Sequence, residues 1–298
     1  MDPLVILFGF GVGVLIGLTG IGGGSLMTPL LILFAGIQPV VAIGTDLAYG
    51  AITKTVGGWR HLRKGTVDLG VSKWLAVGSV PGSLVGVWVA DHYADGSDET
   101  LLYIIGGVLL FTGLITLLRA MFLRKAIERE RHSVHLTTRA KLGAATIGLV
   151  LGAALGLTSV GSGALIGLAL ILVFRLTPHR VVGTDVFHAA ILLWTAGLAH
   201  WAGGNVDFGL MGTILIGSLP GVWLGTHLID RVPADGLRPA LGCVLLGSAL
   251  GVFSKAGVDV PVWAIVGVPV LAGLAAFLLH RSRRNKAAVP HATEIAAA

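Results

Sequence analysis

Charge is scarce in this sequence. Asp, Glu, Lys and Arg make up 12% of its 298 residues, against about 25% in a soluble domain. With 54% hydrophobic residues and a mean hydropathy of +0.88, the shortage excludes a soluble enzyme folded around one core. A single core cannot hide that much apolar surface, so the composition predicts an integral membrane protein. Cysteine is nearly absent: Cys243 stands alone, which excludes an intramolecular disulfide and a cysteine metal cluster. There is no His-Glu-x-x-His helix, no nucleophile elbow and no Walker motif, and the histidines are too scattered for a metal cluster. No catalytic residue, cofactor or metal is therefore expected. The pI of 9.8 does not point to nucleic acid, because the positive charge lies in loops between apolar runs. The start, MDPLVILFGFGVG, has Asp2 and no basic n-region, and reads as a membrane segment that stays.

Glycine, by contrast, is plentiful at 45 residues, and it recurs in register. Gly17-Leu18-Thr19 returns as Gly156-Leu157-Thr158, and Gly44-Thr45-Asp46 as Gly183-Thr184-Asp185. Gly78-Ser79-Val80-Pro81-Gly82 returns as Gly217-Ser218-Leu219-Pro220-Gly221, always 139 residues on. From Gly17 to Asp91, 27 of 75 positions are identical at that offset without a gap. Shared apolar composition does not keep Pro39/Pro178, His61/His200 and Asp68/Asp207 in one register, so the chain reads as a duplication. Lysine and arginine in short loops mark the cytoplasmic side. The first half has a basic Arg60–Lys64 and an uncharged Gly36–Pro39. In the second half Arg175–Arg180 carries two arginines, while Ala199–Gly203 carries no lysine or arginine. Equivalent loops of opposite bias predict inverted-topology repeats. This assignment puts 18 of the 21 lysines and arginines inside, the N-terminus outside and the C-terminus in the cytoplasm.

The expected fold is all-α and polytopic. Each half has a short broken-helix hairpin followed by three transmembrane helices, and one further span closes the chain. The divisions are 1–118 for the first repeat, 119–141 for a basic cytoplasmic connector, 142–253 for the second repeat, 254–280 for the extra helix and 281–298 for a cytoplasmic tail. The hairpins are inferred from length. Leu4–Leu18 reaches roughly 22 Å and Ser25–Ala35 roughly 16 Å at 1.5 Å per residue, short of a hydrocarbon core of about 30 Å. The tip between them, Gly20 to Gly24, would lie within the membrane, where irregular backbone survives only in protein or beside a wet cavity. Its copy is Gly161-Ser162-Gly163. Ser25 would cap the returning half-helix. Two half-helix N-termini facing one midplane site would attract an anion through free N–H groups and the helix dipole. The Gly-xxx-Gly stripes Gly9/Gly13/Gly17, Gly78/Gly82/Gly86 and Gly217/Gly221/Gly225 read instead as helix packing.

With Gly20-Ile21-Gly22-Gly23-Gly24-Ser25-Leu26, Pro29, Ala42-Ile43-Gly44-Thr45-Asp46 and Val80-Pro81-Gly82 in view, the chain resembles the TauE/SafE family of sulfite and organosulfonate exporters. The second half carries degenerate counterparts, with Ser162 for Gly23 and Leu168 for Pro29. The resemblance implies a transporter of small sulfur-containing anions in the bacterial inner membrane, with no ATP hydrolysis by the chain. The expected mechanism is alternating access around the two tips. An anion channel and a proton-coupled uptake permease are the rivals.

Candidate substrate contacts are Gly22, Gly23, Gly24, Ser25, Thr45, Gly161, Ser162, Gly163 and Thr184, with Lys54 adding charge. Lys54 has three readings: it neutralises the anion, pairs with Asp46 two turns away, or snorkels to the cytoplasmic surface. Asp46, Asp185 and His188 are candidates for proton coupling or gating, since ionisable groups inside a membrane need a reason. For the two aspartates an N-terminal cap is the structural alternative. Pro81 and Pro220 are candidate hinges. His61 and His200 fall at segment ends and read as interfacial. The expected partners are a small anion and lipid, with no nucleic acid; the small-residue faces would also permit a homodimer.

Overall fold

The computed structural model describes residues 3–19, 24–94, 98–122, 136–228, 234–276 and 278. Its helices are α1 (Pro3–Thr19), α2 (Gly24–Leu33), α3 (Pro39–Arg63), α4 (Leu69–Ala94) and α5 (Asp98–Phe122). The second set is α6 (Thr138–Thr158), α7 (Leu165–Leu172), α8 (Pro178–Ala202), α9 (Phe208–Leu228) and α10 (Ala234–Lys255). A last apolar helix, α11 (Val262–Ala276), follows. There is no β-strand among the described residues. Five of the helices, α4, α5, α6, α8 and α9, are long and apolar enough to cross a membrane. Trp59, Trp88, Trp201, Trp223 and Trp263 are all more than half exposed on the outside of the bundle, as a belt facing lipid headgroups would be. The connector from 123 to 135, the tail from 281 and the first tip, Gly20–Gly23, lie outside the described residues.

Pro39 and Pro178 start α3 and α8, where a proline costs no hydrogen bond and its fixed φ suits the first turn. The short α2 and α7 are the returning arms of the two hairpins. At about 1.5 Å per residue, the eight residues of α7 reach only roughly 12 Å.

The helices interlock across the repeat. α1 packs on α9 and α6 packs on α4, so each half's first helix lies on the other half's fourth. Glycine makes both contacts. A Cβ on Gly9 would fall 2.6 Å from the Ile214 carbonyl oxygen. One on Gly13 would strike Ser218 and one on Gly221 the Phe10 carbonyl. The second copy repeats this at the 139 offset: Gly148 meets Leu75, Gly152 meets Ser79 and Gly82 meets Leu149. Helix backbones this close gain dispersion and Cα–H···O contacts that a side chain would remove.

At the centre, α3 lies on α8. A Cβ on Gly50 would meet Leu193 at 3.2 Å, while one on Gly57 would meet Val186 at 3.0 Å, so the two helices run antiparallel. α5 and α10 are antiparallel too: Gly106 lies against Phe253 and Gly113 against Leu245. Trp194 Nε1 donates to Thr55 Oγ1 at 2.8 Å, and these two positions are themselves 139 apart. Pro81 and Pro220 sit inside α4 and α9, on the exposed side of helices that continue through them.

The packing separates two kinds of glycine. Gly82→Ala places a methyl on the Leu149 carbonyl and should lower the unfolding temperature of the detergent-purified protein, as overpacking costs about 1–3 kcal/mol. Gly107→Ala meets nothing within 4 Å and should raise it, since alanine is favoured in a helix by roughly 0.5–1 kcal/mol. Equal shifts in both variants would contradict the glycine-mediated contact.

Candidate functional site

The Gly-Thr-Asp copies work as docking points before they work as anything else. Gly44 lies beneath the Asn205 carbonyl, and Gly183 beneath Thr66, its repeat counterpart. Thr45 Oγ1 accepts the Asp207 N–H at 3.0 Å, and Thr184 Oγ1 accepts the Asp68 N–H at 2.8 Å. Each threonine thus pins the loop that opens the other half's fourth helix. The pinned aspartates then cap those helices: Asp207 Oδ1 accepts from Leu210 N at 2.9 Å and Asp68 Oδ1 from Val71 N at 3.0 Å. Arg180 approaches Asp68 at 3.6 Å, so the two basic loops meet at one end of the bundle. At the other end Asn205 Nδ2 donates to Asp91 Oδ1 at 2.5 Å.

Asp46 and Asp185 point inward and are almost wholly buried. Neither is an N-cap, because Gln38 and Thr177 hold those positions. The cap alternative fails by two turns of helix. Asp46 Oδ2 accepts from Thr28 Oγ1 at 2.7 Å and from Ser159 Oγ at 2.9 Å. Thr28 belongs to its own half and Ser159 to the other. Two neutral hydroxyls donate to it, and the Thr28 backbone interacts with it as well.

Asp185 has different company. Its Oδ1 accepts the Gly163 N–H at 3.3 Å. It also interacts electrostatically with Lys54 and with Arg119 at the end of α5. Where the first half has Thr28, the second has Gly167, and a Cβ there would meet Arg119 Nη1 at 3.6 Å. The reading of Lys54 as a snorkelling residue is overturned: the side chain is 7% exposed and its Nζ has no hydrogen-bond partner among the described residues. Nor is Asp46 the carboxylate it answers to. The antiparallel packing of α3 on α8 brings it to Asp185 of the other half.

Between α6 and α7 the chain is irregular, and residues 159–164 are all buried. Gly161 and Gly163 adopt φ +118° and +90°, conformations that side chains resist. Ser159 adopts φ +59° without being glycine, at a cost of about 1–2 kcal/mol. It ends α6 by donating its N–H to the Leu155 carbonyl at 2.7 Å. Ser162 is also buried. In the first half Gly22 and Gly23 lie outside the described residues. Gly24 opens α2, and Ser25, expected as its cap, is instead the second residue of the helix.

The remaining ionisable candidates go elsewhere. His188 does not share a partner with Asp185; its Nε2 meets Ser79 Oγ of α4 at 3.2 Å. His200, in the last turn of α8, faces the protein. It is fully buried, with Nε2 on the Gly156 carbonyl at 3.0 Å and Nδ1 4.0 Å from Asp91 Oδ1. Ser159, Thr28 and Arg119 were not among the sequence candidates. Only Ser159 left a trace there, as the serine standing where the first tip has Gly20.

Five long apolar helices, two buried carboxylates on facing helices and a set of exposed tryptophans fit a multi-pass membrane protein of the transporter class. The family model described as sulfite exporter TauE/SafE matches residues 5–252, and the chain belongs to that family. The probable membrane transporter protein YjnA of Bacillus subtilis (strain 168) is 36% identical over 253 residues, covering 84% of this chain and 99% of that protein. The probable membrane transporter protein YdhB of the same organism is 26% identical over 238 residues, covering 80% and 94%. A probable membrane transporter protein of Xylella fastidiosa (strain Temecula1 / ATCC 700964) is 27% identical over 260 residues, covering 84% and 95%. No solved structure matches the chain.

The electrostatic coupling of Lys54 to Asp185 makes a direct prediction. Lys54→Met removes the charge that compensates the buried carboxylate and should lower the unfolding temperature of the detergent-purified protein. Adding Asp185→Asn should recover most of that loss in thermal unfolding. Additive losses would separate the two residues.

Proposed function

We propose that the chain is a secondary transporter that exports small sulfur-containing anions, such as sulfite or an organosulfonate, across the bacterial inner membrane. It works by alternating access between two inverted repeats. The family description supports the substrate class. Antiparallel pairing of the repeat-equivalent helices, α3 with α8 and α5 with α10, supports the inversion, since equivalent elements that span a bilayer in opposite senses must meet head to tail. Grouping of the Arg60–Asp68 and Arg175–Arg180 loops at one end supports a cytoplasmic position for that end.

The observation that carries the anion site is the Gly163 N–H. It already holds a carboxylate, that of Asp185, at the start of α7 and within electrostatic reach of Lys54. Amides at a half-helix N-terminus prefer an anion, and here the protein supplies one of its own. A substrate anion competes with Asp185 for the same donor and the same cations. Binding therefore displaces the carboxylate, or follows its neutralisation by a proton. Either event alters the buried second tip, as a site that opens to one side at a time requires. Gly22–Ser25, Gly161 and Ser162 supply the remaining tip contacts, and Thr45 and Thr184 hold the loops around them. Pro81 and Pro220 are the hinges in α4 and α9. Asp46 and His188 share proton coupling or gating with Asp185.

Export needs no coupling for a monoanion. Moving one negative charge outward across 100 mV releases about 2.3 kcal/mol.

The test is binding and flux in proteoliposomes against sulfite, thiosulfate, sulfonates and carboxylates. Asp185→Asn should raise apparent sulfite affinity about tenfold, the loss of one competing charge-assisted hydrogen bond. Lys54→Met should lower it by a similar factor. Sulfite affinity unmoved in both variants would remove this site, and flux without saturation or counterflow would replace the transporter by a channel.

A further inference from the structure

Ser159 unites three observations. Its backbone is left-handed at φ +59°, a conformation in which glycine would be at ease, and glycine is what the first half has at the matching Gly20. Its side chain is fully buried, and the hydroxyl donates to Asp46 Oδ2 at 2.9 Å, across 113 residues and into the other half. Two residues later the chain enters Gly161–Gly163, where the Gly163 N–H holds Asp185. A serine kept in a glycine conformation, with its hydroxyl engaged by the opposite repeat, is better explained by that hydrogen bond than by local folding.

We infer that Ser159 is a positioning residue: its bond to Asp46 fixes the Gly161–Gly163 tip, so that the first half's carboxylate sets where the second half's amide donors point. Thr28 is the internal comparison. It donates to the same carboxylate oxygen at 2.7 Å, yet it sits on α2 of the first half, whereas Ser159 leads directly into the second tip along the chain. The inference rests on the anion-transport reading only for its consequence in flux.

The test is hydrogen–deuterium exchange on the full-length protein in lipid nanodiscs. In Ser159→Ala and in Asp46→Ala the amides of residues 160–163 should exchange at least about tenfold faster than in the wild type, as expected for losing a charge-assisted hydrogen bond. The double variant should be no faster than the singles, because both remove one interaction. Thr28→Val should stay within about twofold of wild type, and Ser159→Cys, similar in size but a weak donor, should fall between. Should Asp46→Ala fail to fold, Ser159→Ala and Ser159→Cys decide the matter alone. Wild-type exchange in Ser159→Ala, or rates in the double that multiply those of the singles, overturns the inference. In proteoliposomes, Ser159→Ala should raise the apparent KM for sulfite about fivefold or more while the maximal rate holds within about twofold, the signature of a misplaced binding contact. Equal loss of both parameters would mark a structural role only and would also overturn it. A wild-type protein that moves no sulfite defeats the transport reading and leaves the exchange result to stand or fall separately.

Discussion

Where α1 crosses α9 and α6 crosses α4, carbonyl oxygens of one helix lie where a Cβ of the other would be. Gly9, Gly13 and Gly17 face Ile214, Ser218 and Val222, and Gly148, Gly152 and Gly156 face Leu75, Ser79 and Ser83. In lipid no hydrophobic force drives helices together, so close backbone approach must supply the attraction. Because each contact joins one repeat to the other, neither half closes its own bundle. The same interlocking then determines everything inside it. α3 and α8 are brought into antiparallel contact, and the carboxylates they carry come within reach of side chains from the opposite half. Ser159 reaches Asp46, and Lys54 faces Asp185, only because the halves are braided rather than set side by side.

Much of the architecture was legible because glycine and proline report backbone geometry directly. Pro39 and Pro178 marked the starts of α3 and α8, and the Gly-xxx-Gly stripes marked the helix crossings. The 139-residue register identified which positions are equivalent, and equivalent glycines make equivalent contacts. The site was less legible, for a physical reason. Spacing along one helix places Lys54 near Asp46, two turns away on the same strand of chain. What decides its partner is the crossing of α3 and α8, and no local pattern encodes that. The aspartates misled in a similar way. An acid a few residues after a proline resembles a cap, but Gln38 and Thr177 hold the N-cap positions of α3 and α8; the capping aspartates are Asp68 and Asp207 of α4 and α9, held by Thr184 and Thr45 from the other half. His200 looked interfacial because it sits near the end of α8. It is buried between α3 and α6, where its Cβ lies against Gly44 and its Nε2 meets the Gly156 carbonyl.

The two halves keep one backbone plan and differ in their charge. Asp46 is held by two hydroxyls, Asp185 by an amide with Lys54 and Arg119 nearby. The counterparts of Lys54, Ser159 and Thr28 are Leu193, Gly20 and Gly167, so each difference is a single substitution on a shared scaffold. A buried charge costs several kcal/mol unless it is compensated. Copying Lys54 into the second half would put two cations at the α3–α8 crossing. Deleting it would leave Asp185 to Arg119 alone. One cation from one half, set against a carboxylate from the other, keeps the interior close to neutral.

That asymmetry bears on the proposed passage of an anion. With two identical tips, each conformation would present the same donors and nothing would distinguish a loaded from an empty centre. With unlike carboxylates, one tip amide is held by the charge that the proposed guest would displace, while hydroxyls donate to the other carboxylate, one of them from the opposite half. Asp185 is connected through the Gly163 amide and the irregular buried backbone that precedes it to Ser159, and so to Asp46. The path is short, and it crosses from one repeat to the other at one hydrogen bond. The positive φ at Ser159, Gly161 and Gly163 keeps these residues out of a regular helix and sets the irregular, buried course of the segment that joins the two carboxylates.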